Sequence, residues 1–290
     1  METDSFTLEA FSRNLGLISE EGQATLLRAR IAVAGAGGVG GLHILTLARL
    51  GVGNFNIADF DTFDVVNISR QFGAMTSTID KPKASVLGEM VRDINPSAGV
   101  RLFHEGVTPE NMESFLDGAD LFIDGIDFFS LDIRRRVFRR CREKGIPALT
   151  AAPLGFGATL QLFTPDGMTF DDYFGFTEKM TRLEQIAAFA AGLAPRPYHI
   201  RYLDLAKVNL QKQTGPAVAP ACTLAASLVA TEAVKLLTGT GTVRPAPCYL
   251  QFDMMRGKFH LGKLRFGGRG PIQILKRKLI LRKALAAMGE

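Results

Sequence analysis

Acidic and basic residues follow one another along the chain in an order that suits phosphate chemistry. Asp59 and Asp61 end an apolar run, and Arg70 and Lys83 come soon after them. A carboxylate at the end of a strand can bind ribose hydroxyls, whereas cations offset the charge of a triphosphate and stabilise a pentavalent phosphorus. Asp127 follows a later apolar run, where it could hold Mg²⁺ against phosphate oxygens. These residues predict chemistry on a nucleoside triphosphate.

A glycine-rich turn precedes these residues. It reads Gly35-Ala36-Gly37-Gly38-Val39-Gly40 and matches G-x-G-x-x-G. Glycines permit a tight turn and a close approach by phosphate, and the N-terminus of the following helix attracts negative charge. The candidate nucleotide-binding glycines are therefore Gly35, Gly37, Gly38 and Gly40. Alone, this turn indicates only a nucleotide, and a tight turn without a ligand is the alternative.

An alternation of strands and helices must position these groups. Strands are predicted over 30–34, 54–58, 100–103, 121–123 and 148–151, and helices over 38–50, 84–94 and 131–143. This order predicts an α/β fold, with a Rossmann-like, mainly parallel sheet and helices on both faces. Because the carboxyl ends of parallel strands share one edge, Asp59 and Asp127 should approach the glycine turn.

The chain divides into five predicted segments. Residues 1–29 form an N-terminal helical segment, and residues 30–164 form a Rossmann-like ATP-binding domain. Residues 165–216 are a crossover or insertion rich in Pro and Gly, with a short helix near 182–191. Residues 217–264 supply an apolar helix and an antiparallel hairpin that complete the domain, and residues 265–290 form a basic amphipathic tail.

Composition excludes several classes of protein. The hydrophobic fraction of 47% suits a sizeable core, and no apolar run reaches the roughly 18 residues of a membrane span. The N-terminal Glu2, Asp4 and Glu9 do not resemble a signal peptide, so a cytoplasmic location is expected. The three cysteines, Cys141, Cys222 and Cys248, form no C-x-x-C pair, which argues against a disulfide framework or a zinc site.

Positive charge is concentrated in the last part of the chain. From Arg256 onward there are ten Lys or Arg residues and one acid, Glu290, while the whole chain carries a net charge of +5. Contact of this tail with RNA or an anionic membrane is one interpretation, and docking on its own body or on a dimer partner is another. DNA is not an expected partner. The arginines between Arg134 and Arg142 are interpreted as a solvated helix face, with a site for an acidic partner as the alternative.

These motifs together resemble the adenylation domain of ubiquitin-activating enzymes and their ThiF/MoeB-type bacterial relatives. The family pattern has a G-x-G-G-x-G turn, D-x-D, N-x-x-R-Q, a helix-opening lysine and a later aspartate. The matching residues are Gly35, Gly37, Gly38, Gly40, Asp59, Asp61, Asn67, Arg70, Gln71, Lys83 and Asp127. Arg13 matches an arginine that, in the family, enters the partner subunit's ATP site. The helix over 222–237 also resembles the family's late helix.

The resemblance implies an activity. Such enzymes use ATP and Mg²⁺ to adenylylate a carboxylate, usually the C-terminus of a small ubiquitin-like protein, and release pyrophosphate. It also implies a homodimer, with Arg13, Arg70, Lys83 and Asp127 as catalytic residues and Asp127 as the metal ligand. Asp59, Asp61, Asn67, Gln71 and the glycines would bind the nucleotide. A peptide, a small metabolite or a modified nucleoside in tRNA remains open as the carboxylate substrate.

The chain departs from the family pattern in two places. Many relatives have Asn after the residue that matches Asp127, whereas this chain has Phe128 and Phe129, which could simply fill space under the loop. Relatives that form a thioester carry a crossover cysteine, and residues 153–221 contain none. Cys222 lies at a helix start, where the dipole would lower its thiol pKa, but a small buried residue is the simpler interpretation.

Three other interpretations stay open. An NAD-dependent oxidoreductase would use the glycine turn and Asp59, but it would leave Arg70, Lys83 and Asp127 without a role. A scaffold could keep the fold and bind nucleotide without catalysis. The segment 166–173, dense in acids and aromatic residues, is either an exposed loop or part of an acyl-substrate site.

Overall fold

The computed structural model describes residues 5–209 and 212–288. Glu2 and Asp4 of the N-terminal segment and Glu290 of the tail therefore lie outside the described residues. An eight-stranded sheet has the order β3-β2-β1-β4-β5-β6-β7-β8. Its strands are β1 (Arg30–Ala34), β2 (Asn54–Ala58), β3 (Gly99–Phe103), β4 (Leu121–Asp124), β5 (Ala148–Leu154), β6 (Gly157–Phe163), β7 (Cys248–Asp253) and β8 (Lys258–Lys263).

The sheet is parallel from β3 through β5 and antiparallel from β5 through β8. This confirms the predicted α/β class and its antiparallel extension. Within the described residues the α-helices are α1 (Ser5–Ala10), α2 (Glu20–Arg28), α3 (Gly38–Arg49), α4 (Lys83–Ile94), α5 (Met112–Phe115), α6 (Leu131–Glu143), α7 (Phe170–Phe174), α8 (Arg182–Leu193), α9 (Ala219–Thr238) and α10 (Pro271–Met288).

Two apolar layers cover the two faces of the sheet. Alternate residues of β1 point to opposite faces, so Ile31 and Val33 join the layer of α3, α4 and α9, while Ala32 joins the other. That other layer contains many phenylalanines from α5, α6, α7 and α8, among them Phe138 and Phe170, whose rings stack at 4.1 Å. Burial on both faces explains why the parallel strands are continuous apolar runs.

Strand register brings three strand ends to one edge of the sheet. Ala34, the last residue of β1, lies opposite Ala58 of β2 and Asp124 of β4. The residues that follow these positions begin the glycine turn, the Asp59 segment and the Asp127 loop. Candidate site residues far apart in sequence therefore meet at the carboxyl edge of the sheet, as expected for this kind of fold.

Helix α9 is long and apolar enough to cross a membrane by length and composition, contrary to the sequence-based expectation. Its buried face includes Ala225, Val229 and Ala233, which belong to the core layer that also contains residues of α3, β5 and β6. Small alanine side chains allow these elements to approach closely. In this fold, α9 is a packed helix of the core.

The crossover region is more ordered than its composition suggests. The predicted helix near 182–191 is present as α8, and the short helix α7 precedes it. The basic tail forms the helix α10, as predicted, and it packs against α8 through residues such as the buried Gln273. The tail therefore docks one face on its own body. The apolar residues of α10 are not confined to one side of the helix, so the predicted amphipathic pattern is wrong.

Candidate functional site

The glycine turn is packed tightly against the loop that follows β4. Gly35 has φ +89°, and a Cβ at this position would lie 2.1 Å from the carbonyl oxygen of Gly125. A Cβ on Gly40 would lie 1.7 Å from the Gly35 carbonyl oxygen. Neither position accepts a larger residue without moving the backbone. Residues 37–39, at the start of α3, are only partly buried, so an anion can approach their backbone N–H groups.

Asp59 holds the glycine turn in place. Its Oδ2 accepts a hydrogen bond of 2.6 Å from the Ala36 N–H, and its Oδ1 accepts one of 2.8 Å from the Asp61 N–H. Burial raises the pKa of the Asp59 carboxyl, while the two N–H bonds and the nearby Lys83 oppose the rise. Asp59 thus lies beside the turn, at the position proposed for a ribose ligand.

Lys83 and Asp61 form an ion pair at the same edge. The Lys83 Nζ lies 2.9 Å from Asp61 Oδ2, and the Lys83 N–H donates to the Asp61 carbonyl. The Lys83 side chain is 7% exposed, whereas that of Asp61 is 53% exposed. Because α4 begins at Lys83, the helix fixes the lysine backbone while the ion pair fixes its ammonium group. The pair therefore presents a positioned cation next to Asp59.

Arg70 and Gln71 contact the first residues of α3. A Cβ on Gly38 would lie 3.8 Å from Arg70 Cγ, and one on Gly37 would lie 3.6 Å from Gln71 Nε2. The Arg70 guanidinium donates one bond, of 3.2 Å, to the Val66 carbonyl. Gln71 is buried, and its Oε1 has no hydrogen-bond partner within the described chain. Both side chains thus lie where phosphates would meet the helix N-terminus.

Asn67 has a local structural contact. Its side-chain Oδ1 accepts a bond of 3.1 Å from the Asp64 N–H, and Asp64 caps the short 3₁₀ helix Val65–Asn67 in return. This reciprocal capping orders the loop that carries Arg70. A direct contact between Asn67 and a nucleotide stays a prediction.

The loop that carries Asp127 rests on a buried ion pair. Arg134 Nε lies 2.8 Å from Asp124 Oδ2, and both side chains are almost completely buried. Arg134 also donates to the carbonyls of Ile126 and Phe128, and its guanidinium lies 4.7 Å from the centroid of the Phe189 ring. The expectation that Arg134 belongs to a solvated face is therefore wrong, because its side chain is buried and pairs with the buried Asp124 carboxylate.

Asp127 itself is exposed at the tip of this loop. Its Oδ2 accepts a bond of 2.7 Å from the Phe129 N–H, which leaves Oδ1 free for another ligand. One carboxylate with a free oxygen fits a Mg²⁺ ion that takes its other ligands from phosphates and water. Within the described ranges no group of three or more His, Cys, Asp or Glu residues could hold a metal, so Asp127 would act without such a cluster. Phe128 and Phe129 pack on each other, and Phe128 packs on Phe189, which confirms that they fill space under the loop.

Arg13 lies away from these groups. It belongs to the 3₁₀ helix Ser12–Asn14, and Asn14 donates to the carbonyl of Leu50, just beyond the C-terminal end of α3. Since a helix rises about 1.5 Å per residue, α3 separates that end from the glycine turn by roughly 18 Å. Arg13 is exposed and lies far from the glycine turn of its own chain. This position is compatible with a residue that acts in the site of a neighbouring subunit.

Cys222 lies against the glycine turn. A Cβ on Gly38 would lie 3.3 Å from its Sγ, and the side chain is 1% exposed. Burial raises the pKa of this thiol, although Arg70 opposes the rise. The idea that the helix dipole lowers its pKa is therefore wrong, and the interpretation as a small buried residue is confirmed.

The acidic and aromatic segment 166–173 lies at the opposite edge of the sheet. It follows β6, whose last residue, Phe163, pairs with Ala148 at the start of β5. Asp171 there forms a bidentate ion pair with Arg135, at 2.7 and 2.8 Å. The antiparallel strand β6 therefore carries this segment away from the carboxyl edge of the sheet, and its role in an acyl-substrate site stays a prediction.

A sequence model of the ThiF family matches residues 11–266. The chain belongs to the ThiF family. The match includes the glycine turn, the residues that converge on it and the N-terminal Arg13. The predicted resemblance is thereby confirmed.

Several curated relatives share part of this chain. It is 37% identical over 145 residues to tRNA threonylcarbamoyladenosine dehydratase of Bacillus subtilis, covering 50% of this chain and 56% of that protein. It is 31% identical over 157 residues to the sulfur carrier protein ThiS adenylyltransferase of Escherichia coli, and the match covers 53% of this chain and 62% of that protein. It is 28% identical over 243 residues to the probable adenylyltransferase/sulfurtransferase MoeZ of Mycobacterium tuberculosis, covering 80% and 54%. The matches thus span little more than half the length of these relatives.

Solved structures share the fold. The crystal structure of PaaA covers 90% of this chain and 75% of its own, with a TM-score of 0.69 and 18% identity. The E. coli MccB structure with ATP covers 93% of this chain and 73% of the MccB chain, with a TM-score of 0.67 and 18% identity. The E. coli tRNA N6-threonylcarbamoyladenosine dehydratase, TcdA, covers 82% and 98%, with a TM-score of 0.61 and 23% identity. At these identities the likeness concerns the Rossmann-like fold.

Proposed function

We propose that this ThiF-family protein uses ATP to adenylylate a carboxylate and releases pyrophosphate. The observation that carries the proposal is the convergence of Arg70 and the Lys83–Asp61 pair on the glycine turn beside Asp59. A site for an uncharged or singly charged ligand has no need of one cation at the N-terminus of α3 and a second beside Asp59. A triphosphate, and above all its transition state, does.

Each residue has a role that follows from its position. The N–H groups at the start of α3 bind phosphate oxygens, and Asp59 binds the ribose hydroxyls. Arg70 follows the outer phosphates with its planar fork, and Lys83 acts as a point charge. Asp127 would hold Mg²⁺, which neutralises charge on the phosphates. Asp61 holds the Lys83 ammonium, and Gln71 offers its free Oε1 at Gly37.

The reaction needs no covalent bond to the protein. An oxygen of the substrate carboxylate forms a bond to the α-phosphorus while the bond from that phosphorus to the bridging oxygen breaks. The electron pair leaves with pyrophosphate, so negative charge grows on the leaving group and on the α-phosphate oxygens. Arg70 and Lys83 stabilise this growing charge because they are already in place before the reaction.

The substrate we favour is the C-terminus of a small ubiquitin-like protein or another peptide. One relative is named for its action on the carrier protein ThiS, and the MccB structures include complexes with the peptide MccA. A carboxylate on a tRNA nucleoside is the second candidate, because three relatives are named tRNA threonylcarbamoyladenosine dehydratase. A small metabolite carboxylate is a third.

Subunit arrangement and location complete the proposal. A two-fold homodimer would bring Arg13 of one subunit to the phosphate site of the other, since its own site is too far away. The protein would act in the cytoplasm, where ATP and Mg²⁺ are plentiful. An NAD-dependent oxidoreductase and a non-catalytic scaffold are disfavoured, because neither gives the Arg70 and Lys83 cations a function.

ATP–pyrophosphate exchange tests the proposed function. The purified protein is incubated with Mg·ATP and labelled pyrophosphate, and candidate acids are added in turn: carrier proteins with free C-termini, peptides, modified tRNA and small acids. Exchange with any of these acids supports adenylylation and names the substrate class. Thermal stabilisation by NAD or NADP but not by Mg·ATP, with no exchange on any acid, would overturn it.

A cysteine-free protein tests whether a thioester is needed for adenylation. Cys141, Cys222 and Cys248 are replaced together, by Ala at the two buried positions and by Ser at Cys248. Exchange should persist, because attack on phosphorus depends on position and charge. Loss of exchange in a folded Cys222→Ala variant, with exchange retained in Cys141→Ala, would show that the thiol takes part.

A further inference from the structure

Helix α10 has two apolar faces, of which only one is covered. One face, with Gln273, packs on α8, and Lys276 Nζ donates a bond of 2.6 Å to the Pro195 carbonyl. The other face points outward and carries Ile272, Leu275 and Leu279, which are 68%, 59% and 52% exposed. The helix is thus held firmly on the body and presents a row of large apolar side chains to the surroundings.

The exposed apolar row is bordered by cations on both sides. At 100° per residue, Lys278 and Arg282 lie along one flank of the row formed by Leu275 and Leu279, and Lys283 lies along the other. These three cations are exposed and form no ion pair with any residue that the structure describes. Acidic residues are absent from positions 256–288 of the chain, so every charged side chain that this segment itself contributes to the surface is positive. The nearby acids come from other elements: Asp172 pairs with Arg269, and Glu184 of α8 lies near Arg277.

Phe266 is a further exposed apolar residue, and it lies shortly before the start of α10. It is 68% exposed, and its Cβ lies 3.7 Å from the position of a Cβ on Gly270, which immediately precedes the helix. Four exposed apolar side chains therefore lie just before α10 or along its first three turns. We call these four apolar residues, with Lys278, Arg282 and Lys283, the α10 outer face.

We propose that the α10 outer face binds the surface of an anionic lipid membrane, with α10 lying in the plane of the headgroups. The apolar side chains enter the boundary between headgroups and acyl chains, and the flanking lysines and arginine reach back to the lipid phosphates with their long stems. A second copy of this chain is a poor occupant, because two such faces would bring like charges together. RNA would use the cations but would leave the apolar row exposed to water. A uniformly anionic surface with an apolar interior satisfies both features.

Vesicle co-sedimentation of the whole protein tests the proposal. The protein should bind vesicles of phosphatidylcholine with phosphatidylglycerol and should bind phosphatidylcholine vesicles far more weakly. Raising the salt from about 0.1 M to about 1 M should release much of it, because the screening length falls from about 10 Å to about 3 Å. Binding that does not distinguish the two vesicle types would overturn the proposal.

Matched variants separate the contributions of apolar residues and charge. L275S/L279S should weaken partitioning of the protein onto anionic vesicles by about tenfold or more, because it removes two apolar side chains. K278Q/R282Q/K283Q should weaken it by on the order of a hundredfold, because each cation contributes about fivefold. The control K258Q/K263Q removes two cations from the exposed edge strand β8 and should retain most of the binding. A greater loss in that control than in the α10 charge variant would overturn the assignment to α10.

Thermal unfolding checks that each variant is folded. If the serine variant is unstable, the charge variant keeps the test valid, because all of its substitutions are on exposed side chains.

Competition experiments distinguish a membrane from the other partners. Competition with tRNA and with polyglutamate should displace the protein from vesicles only partly, because neither offers an apolar interior. Tight binding to either polymer that is unaffected by L275S/L279S, together with no vesicle binding, would contradict the proposal and assign the face to RNA or to an acidic protein.

Discussion

The Lys83 Nζ lies 2.9 Å from Asp61 Oδ2, so an almost buried cation is held by a carboxylate that is half exposed to solvent. The lysine opens α4, the aspartate follows β2, and Asp59 two residues earlier binds the glycine turn. A triphosphate on that turn would compete with Asp61 for the lysine. The ion pair therefore fixes the position of the lysine ammonium, and in the proposed function a phosphate would take the place of Asp61.

Asp59→Ala should weaken ATP binding. The carboxylate is proposed to bind the ribose and also holds the Ala36 N–H, so its loss should cost about 1.5–3 kcal/mol, the scale of hydrogen bonds to charged groups. Isothermal titration calorimetry with Mg·ATP measures the effect. Asp93→Ala, an exposed aspartate on α4, is the control and should bind normally. Equal affinity in the two variants would mean that Asp59 does not contact the nucleotide.

Arg13→Ala and Asp127→Ala should each be inactive alone and should partly rescue each other when mixed. If Arg13 serves the neighbouring subunit, a mixed dimer contains one site with both residues intact. Exchange activity is measured after conditions that permit subunit exchange, and Arg49→Ala at the far end of α3 is the active control. Failure to rescue in a mixture shown to contain hybrid dimers would contradict a shared site.

Arg134→Met should destabilise the fold by about 3–5 kcal/mol, because it leaves the Asp124 carboxylate buried without its partner. The measurement is urea unfolding followed by circular dichroism. Arg136→Met, an exposed neighbour on α6, should change the free energy of unfolding by no more than about 0.5 kcal/mol. Adding Asp124→Asn to Arg134→Met should recover part of the loss. A loss below about 1 kcal/mol for Arg134→Met would show that the pair does not support the loop.

His43 should make stability sensitive to acid. The ring is completely buried and neither nitrogen has a hydrogen-bond partner among the described residues, and burial lowers its pKa from 6.5 to about 3. Below pH 6.5 the unfolded chain binds a proton that the folded chain excludes, so the free energy of unfolding falls as pH falls toward 3.

Replacing His43 should therefore reduce the pH dependence. Each excluded proton lowers the free energy of unfolding by roughly 1.4 kcal/mol per pH unit below the pKa of the unfolded chain. Between about pH 7 and pH 4, the free energy of unfolding of His43→Leu should therefore fall by about 3 kcal/mol less than that of the parent protein. His104→Leu, at an exposed histidine, should follow the parent curve. Parallel curves for the parent and His43→Leu would show that His43 is not held neutral.

Local pattern was enough to predict most of the carboxyl edge of the sheet. The bounds of β1 and β2 agree with the predicted 30–34 and 54–58, because apolar runs between glycines and polar residues define buried strands. Once the strands are parallel, the positions of Gly35 and Asp59 follow from their place after the strand ends. The structure brings these two together with Arg70 and Lys83, although their roles in catalysis await mutation.

The contacts that were missed depend on residues distant in sequence. Arg134 resembles its exposed neighbours on α6, and its burial depends on Asp124 and on Phe189 of α8, which no local pattern connects to it. The place of Asp171 likewise depends on the antiparallel direction of β6. One local signal was available for Arg134: it lies three residues from Leu131 and Val137, and therefore on the apolar side of α6.

Arg70, Lys83 and Asp127 are proposed to stabilise the transition state of adenylate formation. The most direct measurement is the steady-state kinetics of ATP–pyrophosphate exchange, with the acid that supports exchange in the parent protein. Arg70→Ala, Lys83→Ala and Asp127→Ala are compared with Arg49→Ala, Lys81→Ala and Asp132→Ala, matched residues that are exposed and lie outside the site.

Each site variant should lose on the order of a hundredfold or more in kcat, with a smaller change in the KM for ATP, because the charge these groups stabilise develops only as the reaction proceeds. The matched variants should stay close to the parent. Near-normal kcat in all three folded site variants would contradict adenylylation at this site and would favour a scaffold that binds nucleotide without catalysis.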